Sequence, residues 1–426
     1  MFPYYLGHSR FLRRLSVLAV LLLLHPSGSA QAELLTRAEA IELALERSPS
    51  IQASQKQWEA AQALARQAGA LPDPEVELEF EVLSEIGGLG DFSERTIGVT
   101  QRLEFPLKWW NRRKAGRQQA DAVRLAAFET TKLNVIRQAS IAYDRISLQQ
   151  DILGFTRENL KLADDVLRKA RIRFEAGDVP QLEVMRAEVE AGRATSRLTA
   201  ATNSLRVAKA ELNTVLARDP ATPVAVADSL EYRPLDADIE ALKKEALTQR
   251  PDLSGIGLRE AALRSRHSVA KTALVPDLSV GAFHQRIRGA GGEDDFWQVS
   301  FALEVPLWAF SRQRGEIAQA RAEVGQAAAE RLALRDQVLL ETEVAYLNVQ
   351  NAQAQVVLFQ QQILPAAERT YQVASRSYDE GKATYLELLD AQRTLTDSRV
   401  ERAQALFDHR AAVAALERAV AGPLFR

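Results

Sequence analysis

Residues 378–392 read YDEGKATYLELLDAQ, and residues 174–188, lying 204 positions earlier, read FEAGDVPQLEVMRAE. In each stretch an aromatic residue, Tyr378 or Phe174, stands three positions before a glycine, Gly381 or Gly177. A Leu-Glu pair, Leu386-Glu387 or Leu182-Glu183, begins five positions after that glycine. Both glycines interrupt long helical patterns, as expected where a helix stops and the chain turns back.

The echo extends through the chain. Arg47-Ser48-Pro49 answers Gln249-Arg250-Pro251, and Leu71-Pro72-Asp73 answers Val275-Pro276-Asp277. LEFPL at 103–107 answers LEVPL at 303–307, and Ala142-Tyr143 answers Ala345-Tyr346. A near-constant offset over about two hundred residues predicts a duplicated unit, two copies per chain.

The first 32 residues read as a processing signal. Arg10, Arg13 and Arg14 form a basic region, Leu15–Leu24 an apolar one, and Ala30-Gln31-Ala32 a small-x-small cleavage site. The apolar run is shorter than a membrane anchor needs, so the protein is expected to leave the cytoplasm. The chain has 54 basic and 56 acidic residues, and loss of the three arginines brings the net charge to about −5. Such a balance argues against a nucleic-acid partner. With no cysteine, disulfides, thiolate chemistry and an N-terminal lipid-modified cysteine are excluded. Beyond residue 32 no run suits a transmembrane helix, so membrane insertion requires a closed β-barrel.

Residues 36–70 read as helix, with Thr36 as cap and Glu39 three positions on. Glu75–Val82 then alternates strictly, with Val76, Leu78, Phe80 and Val82 on one face and Glu75, Glu77, Glu79 and Glu81 on the other. A soluble sheet or a wall facing a water-filled lumen would both carry this pattern. After a glycine-rich loop at 87–90 the alternation resumes over Thr96–Phe105. The second copy repeats it over Leu278–Ile287 and Phe296–Val305. Four such strands cannot close a barrel, whereas three chains supply twelve. Trp109 and Trp110 beside Lys108, Arg112, Arg113 and Lys114, and Trp308 beside Arg312, fit a membrane–water interface. The alternative is a charged helix start, although basic residues there oppose the macrodipole.

Long helical stretches follow to Phe174 and to Tyr378, rods of roughly 100 Å. Apolar positions keep heptad spacing at Ala122, Leu125, Ile136, Ala139, Tyr143, Ile146, Leu153 and Leu160, and again at Ile317, Ala320, Val324, Ala327, Leu334, Val338 and Ala345. Pro365 predicts a kink before the second tip. Helices over 182–217 and 385–419 return from the tips.

The expected organisation is a signal peptide at 1–32 and a first repeat at 33–218, with hairpin 75–105 and tip 174–183. A linker or small folded belt spans 219–238. The second repeat covers 239–420, with hairpin 277–305 and tip 378–387, before a tail at 421–426.

Catalytic patterns are lacking: no G-x-S-x-G, P-loop or dinucleotide fingerprint occurs in a strand–turn–helix setting. His267, His284 and His409 are far apart and lack metal-ligand spacing, and Met185 is the only methionine after Met1. No enzyme activity, cofactor or metal centre is expected. Glu387 and Asp390 are three apart on one face of the second return helix. Around a threefold axis they form a ring of carboxylates that attracts cations; alternatively, acids there favour the helix dipole. Glu183 matches Glu387 in the first copy, but Arg186 stands where Asp390 would be.

The tips, the Pro-Asp starts of the hairpins and the LE-x-P-L strand ends together resemble the TolC-type outer-membrane efflux proteins over essentially all of residues 33–420. The Ala-Leu-Pro-Asp-Pro stretch and the acidic-apolar strand are similar to the heavy-metal-efflux, CzcC/CusC-like branch. That resemblance implies a mainly α protein carrying a membrane β-barrel. Three chains would form a twelve-stranded barrel in the outer-membrane lipid and a helical coiled-coil tunnel through the periplasm. It also implies a periplasmic adaptor and an inner-membrane pump, of the RND type, as partners. The residues matching the family's aperture are Glu387, Asp390 and Tyr378, with Glu183 as the first-copy counterpart. Ala383 replaces an arginine of some members, beside Lys382. The expected function is a passive exit duct with Gly177 and Gly381 as pivots. The rival readings are a duct for protein secretion and a periplasmic coiled-coil scaffold.

Overall fold

The computed structural model describes residues 33–81, 92–289, 292–305 and 309–424. The expected signal peptide, the first hairpin's glycine loop and Trp308 lie outside these residues.

A short strand β1 (Glu33–Leu35) leads into α1 (Arg37–Arg47) and α2 (Pro49–Ala68). Thr36 and Glu39 form the capping box their spacing predicts. The single helix expected over 36–70 is two helices. Pro49 pushes Ser48 into an extended conformation (ψ 122°), and Pro251 does the same to Arg250 (ψ 120°). The hairpin β2 (Glu75–Glu81) and β3 (Glu94–Leu103) comes next. A long rod follows, made of α3 (Pro106–Val123), a π-helical turn (Arg124–Glu129) and α4 (Thr130–Glu175), and α5 (Gln181–Val215) returns beside it.

The segment between the halves contains β4 (Val224–Val226), which pairs in parallel with β1. Then the order repeats: α6 (Ile239–Gln249), α7 (Pro251–Thr272), β5 (Asp277–Gly289), β6 (Gly292–Glu304) and α8 (Ala309–Leu358). A second π-helical turn (Phe359–Ile363) precedes α9 (Leu364–Asp379), and α10 (Tyr385–Val420) returns. The turn lies just before Pro365, whose missing N–H and ring disturb the preceding turn. The sequence placed a distortion there, but gave no sign of the one at 124–129.

The hairpins join in one antiparallel sheet of order β2-β3-β5-β6. Register aligns Leu78, Ile97, His284 and Trp297 in one row and Val76, Val99, Ala282 and Val299 in the next, on a single face. That face is open: Val76, Leu78, Trp297, Val299, Phe301 and Leu303 are all more than 60 % exposed. Its reverse carries Glu75, Glu77, Glu79, Thr96, Thr100, Gln285, Gln298 and Ser300. Phe283 lies across Gly98 and Gly281 there, and a methyl group added at Gly98 would stand 1.9 Å from its ring.

Small residues bring the rods together. Ala139, Tyr143, Ile146, Leu212 and Val224 are fully buried where α4 and α5 meet the β1–β4 belt, and Val338, Val349, Leu416 and Val420 form the matching core of the second half. Tyr143 pins the belt: its hydroxyl donates to the Leu35 carbonyl (2.8 Å) and accepts from the Ala227 and Asp228 amides (3.2 and 3.1 Å). Burial first, opposed by the Asp228 amide bond and helped by the Asp228 carboxylate, pushes its pKa up to about 12.

Candidate functional site

The two tips have the same backbone chemistry. At the first, the Asp178 amide donates to the Arg173 carbonyl (2.9 Å) and the Gly177 amide to that of Phe174 (3.0 Å). At the second, Lys382 donates to Ser377 (2.7 Å) and Gly381 to Tyr378 (3.0 Å). These are paired Schellman bonds, which require a left-handed residue after the helix. Gly177 (φ 82°) and Gly381 (φ 73°) supply it.

Tyr378 is 2 % exposed, and its hydroxyl donates to Oε1 of Glu183 at 2.7 Å, tying α9 to α5. The Arg173 guanidinium sits 5.1 Å from its ring centre. Burial first, then the bond to Glu183 and that carboxylate's charge, pushes the phenol up to about 12. The structure therefore brings together two of the residues singled out in the sequence, Tyr378 and Glu183. Beneath them Ala170, Val184, Ala187, Tyr385 and Leu388 form a small apolar cluster shared by both helix pairs.

Glu387 and Asp390 are exposed on the first two turns of α10. Glu387 closes a capping box: it accepts from the Thr384 amide (2.7 Å) and hydroxyl (3.0 Å). Those two bonds hold its carboxyl below the usual range, backbone bond first. The dipole-side reading of this acid and the aperture reading are therefore compatible: one oxygen serves the helix end while the charge faces solvent.

Sequence reasoning missed a ladder of polar bonds above the tips. Lys169 reaches Asp379 (2.8 Å), Arg399 reaches Glu158 (2.8 Å), and Gln392 donates to Asn159 (2.9 Å) in a buried contact. Glu190, only 4 % exposed, accepts from Arg197 (3.1 Å) on its own helix and from Arg393 on α10. These partners stand up to 241 residues apart in sequence. Only the rotation of each helix about its axis brings them face to face.

At the other end of the rods, Trp109 and Trp110 part company. The Trp109 indole donates to the Gly69 carbonyl (2.9 Å) and holds the end of α2, whereas Trp110 is 59 % exposed. Lys108 and Arg112 also turn inward, to Asp277 (2.8 Å) and Glu104 (2.7 Å).

Among the described residues no group of three His, Asp or Glu side chains could hold a metal ion, and no helix is long and apolar enough to cross a membrane. A depression of about 1070 Å³ lies beside the belt between Arg37, Asp228, His409 and Arg410. His409 is 1 % exposed, packs edge-on against Tyr232 at 5.2 Å, and neither ring nitrogen meets a partner.

Together these elements form an open four-stranded sheet set on long paired rods with glycine tips. The chain belongs to the outer membrane efflux protein family, whose description matches residues 40–218 and again 242–422. It is 24 % identical over 369 residues to the cobalt-zinc-cadmium resistance protein CzcC of Cupriavidus metallidurans, covering 86 % of this chain and 85 % of that one. Its fold matches the crystal structure of the outer membrane protein VceC of Vibrio cholerae with a TM-score of 0.75 at 20 % identity, covering 91 % of this chain and 96 % of that one. The match to CusC has a TM-score of 0.76 at 18 % identity, covering 91 % and 92 %. The protein is an outer-membrane efflux channel of the TolC type.

Proposed function

We propose that three copies of this chain close into one duct that carries substrate across the periplasm and the outer membrane, passively, for a pump in the inner membrane. The observation that carries this reading is where the chain is unfinished. The sheet is open at β2 and β6, and exposed apolar stripes run along α5 (Leu182, Met185, Val189) and α8 (Leu340, Val344, Leu347). β2 and β6 run in opposite directions. Pairing β6 of one copy with β2 of the next is therefore antiparallel and leaves no edge. Three copies give twelve strands around a lumen lined by the glutamate face, with the apolar face toward lipid.

The helix pairs α4–α5 and α9–α10 form the periplasmic tunnel, and their tips form its mouth. A periplasmic adaptor grips the tips, and an RND-type pump feeds the duct. Tyr378 and Glu183 hold the two pairs together in the closed mouth, Gly177 and Gly381 are the pivots, and Glu387 with Asp390 supplies a ring of six carboxylates. Such a ring concentrates cations. With the similarity to a cobalt-zinc-cadmium resistance protein, this favours divalent heavy-metal ions as cargo. Trp110 lies in the lipid-interface belt, with Trp109 bracing it from within.

The test is single-channel conductance of the purified protein in a planar bilayer. The intact protein should give small, cation-selective steps that divalent ions on the tip side block. Glu387→Ala with Asp390→Ala should raise conductance several-fold and weaken both selectivity and block. Unchanged values would remove these residues from the mouth, and trimeric material without steps would overturn the duct.

A further inference from the structure

We propose that Arg66, Arg113 and Arg117 form a binding site for the phosphate of an anionic glycerophospholipid in the periplasmic leaflet. This rests on the membrane placement above. The three arginines surround a depression of about 370 Å³ at the junction of α2 and α3, with Trp109 in its wall and no carboxylate lining it. None of the three has an ion-pair partner among the described residues. Three arginines around one depression without a carboxylate give it an uncompensated positive charge, which favours an anion there.

Capping of α2 does not explain them. The carbonyls of Ala68 and Ala70 already accept from Arg112 (2.9 Å each), and that of Gly69 accepts from Trp109 (2.9 Å). Nor is the depression a loose surface feature. Trp109 is fixed by its indole bond, Arg113 lies 5.1 Å from its ring centre, and the Arg113 stem covers Gly69 so closely that a methyl group there would stand 3.4 Å from Cγ.

The orientation is set by Arg112. Its partner Glu104 follows Leu103, which belongs to the apolar face, so Glu104 lies on the polar, lumen side with Arg102, Asp277 and Glu304. At about 100° per residue, Trp110 and Arg117 are turned roughly 160° and 140° from Arg112, to the same side, toward the lipid. α3 begins at Pro106, three residues beyond β3. Helical side chains lean toward the helix N-terminus, and arginine stems extend along apolar surface to reach polar layers. Arg113 and Arg117 therefore reach back toward the headgroups at the foot of the barrel. A planar guanidinium binds a phosphate through two parallel bonds, and the exposed Trp110 provides the apolar neighbour for the acyl chains.

The experiment compares dioleoyl phosphatidylglycerol with dioleoyl phosphatidylcholine, added to the full detergent-purified channel, by retained lipid in native mass spectrometry and by thermal shift. The intact protein should retain phosphatidylglycerol preferentially. Arg66→Gln/Arg113→Gln/Arg117→Gln should lose that preference by about fivefold per arginine, while Lys114→Gln, outside the depression, keeps it. Arg117→Gln alone, on an exposed side chain, should cost about fivefold. Equal retention of the two lipids, an unchanged preference in the arginine variants, or the same thermal shift from inorganic phosphate would each overturn the proposal. Conductance steps that persist in the triple variant would leave the duct intact whatever the lipid result.

Discussion

Ala421 adopts φ 59° at the end of α10, and Ala217 adopts φ 53° at the end of α5. Each completes the bond pattern that the glycines complete at the tips: the Gly422 amide reaches the Glu417 carbonyl (3.1 Å), and the Arg218 amide reaches that of Asn213 (2.8 Å). A Cβ in this region costs on the order of 1 kcal/mol. Ala421→Gly should therefore raise the thermal unfolding midpoint by roughly 1–2 °C, read by circular dichroism; a lower midpoint would show that the turn is not strained. The tip glycines were legible in the sequence, because glycine announces a left-handed turn. These two alanines were not, because alanine favours continued helix. His409 presents a different strain. Burial, then the neighbouring Arg410, lowers its pKa from 6.5, so the folded chain keeps the ring neutral where the unfolded chain binds a proton. The stability this gives is present above pH 6.5 and is lost as pH falls through the lower folded value. His409→Phe, which retains the edge contact with Tyr232, should lose less stability than the intact protein between pH 7 and pH 5. Parallel losses would place the acid sensitivity elsewhere.

Among the elements, the sheet was the most legible, because strict alternation states both the strands and the face each residue takes. What alternation left open was whether the glutamate face meets a lumen, and the order β2-β3-β5-β6 favours that reading by leaving unpaired edges for neighbouring copies. The contact of Phe283 with Gly98 was not visible in sequence, since it depends on the register between the two hairpins. Gly98→Ala should displace the ring into the polar side and destabilise the sheet by about 1–3 kcal/mol. Gly98→Ala/Phe283→Ala should recover most of that loss in a chemical-denaturation series, and an additive pair would show that the two residues do not compete for space. The rods were legible in length and heptad face but not in partner. Bonds such as Lys169–Asp379 and Glu190–Arg393 join helices from different halves, where periodicity carries no information on pairing.

For the whole molecule, the sheet is open at β2 and β6 and exposed leucines line α5 and α8, and a single substitution tests whether these surfaces meet a neighbouring copy. Leu340 is 63 % exposed on α8 and aligned with Val344 and Leu347. Leu340→Arg should leave the helix content unchanged and prevent trimers, seen by circular dichroism and by light scattering. A trimer of normal mass would move the interface to another face. The repeats, so alike in the backbone of their tips, differ in where each rod is distorted. The first rod has its π-helical turn at 124–129, on the sheet side of the belt, where Phe128 packs against the belt core, and the second has its own at 359–363, on the tip side, where Phe359 packs with Leu230 and Val356. A locally widened turn is where a helix yields to bending. In the proposed trimer this splits six nominally equivalent helix pairs into two alternating sets, three bending between belt and tip and three bending on the sheet side of the belt, so that the predicted opening has threefold rather than sixfold symmetry.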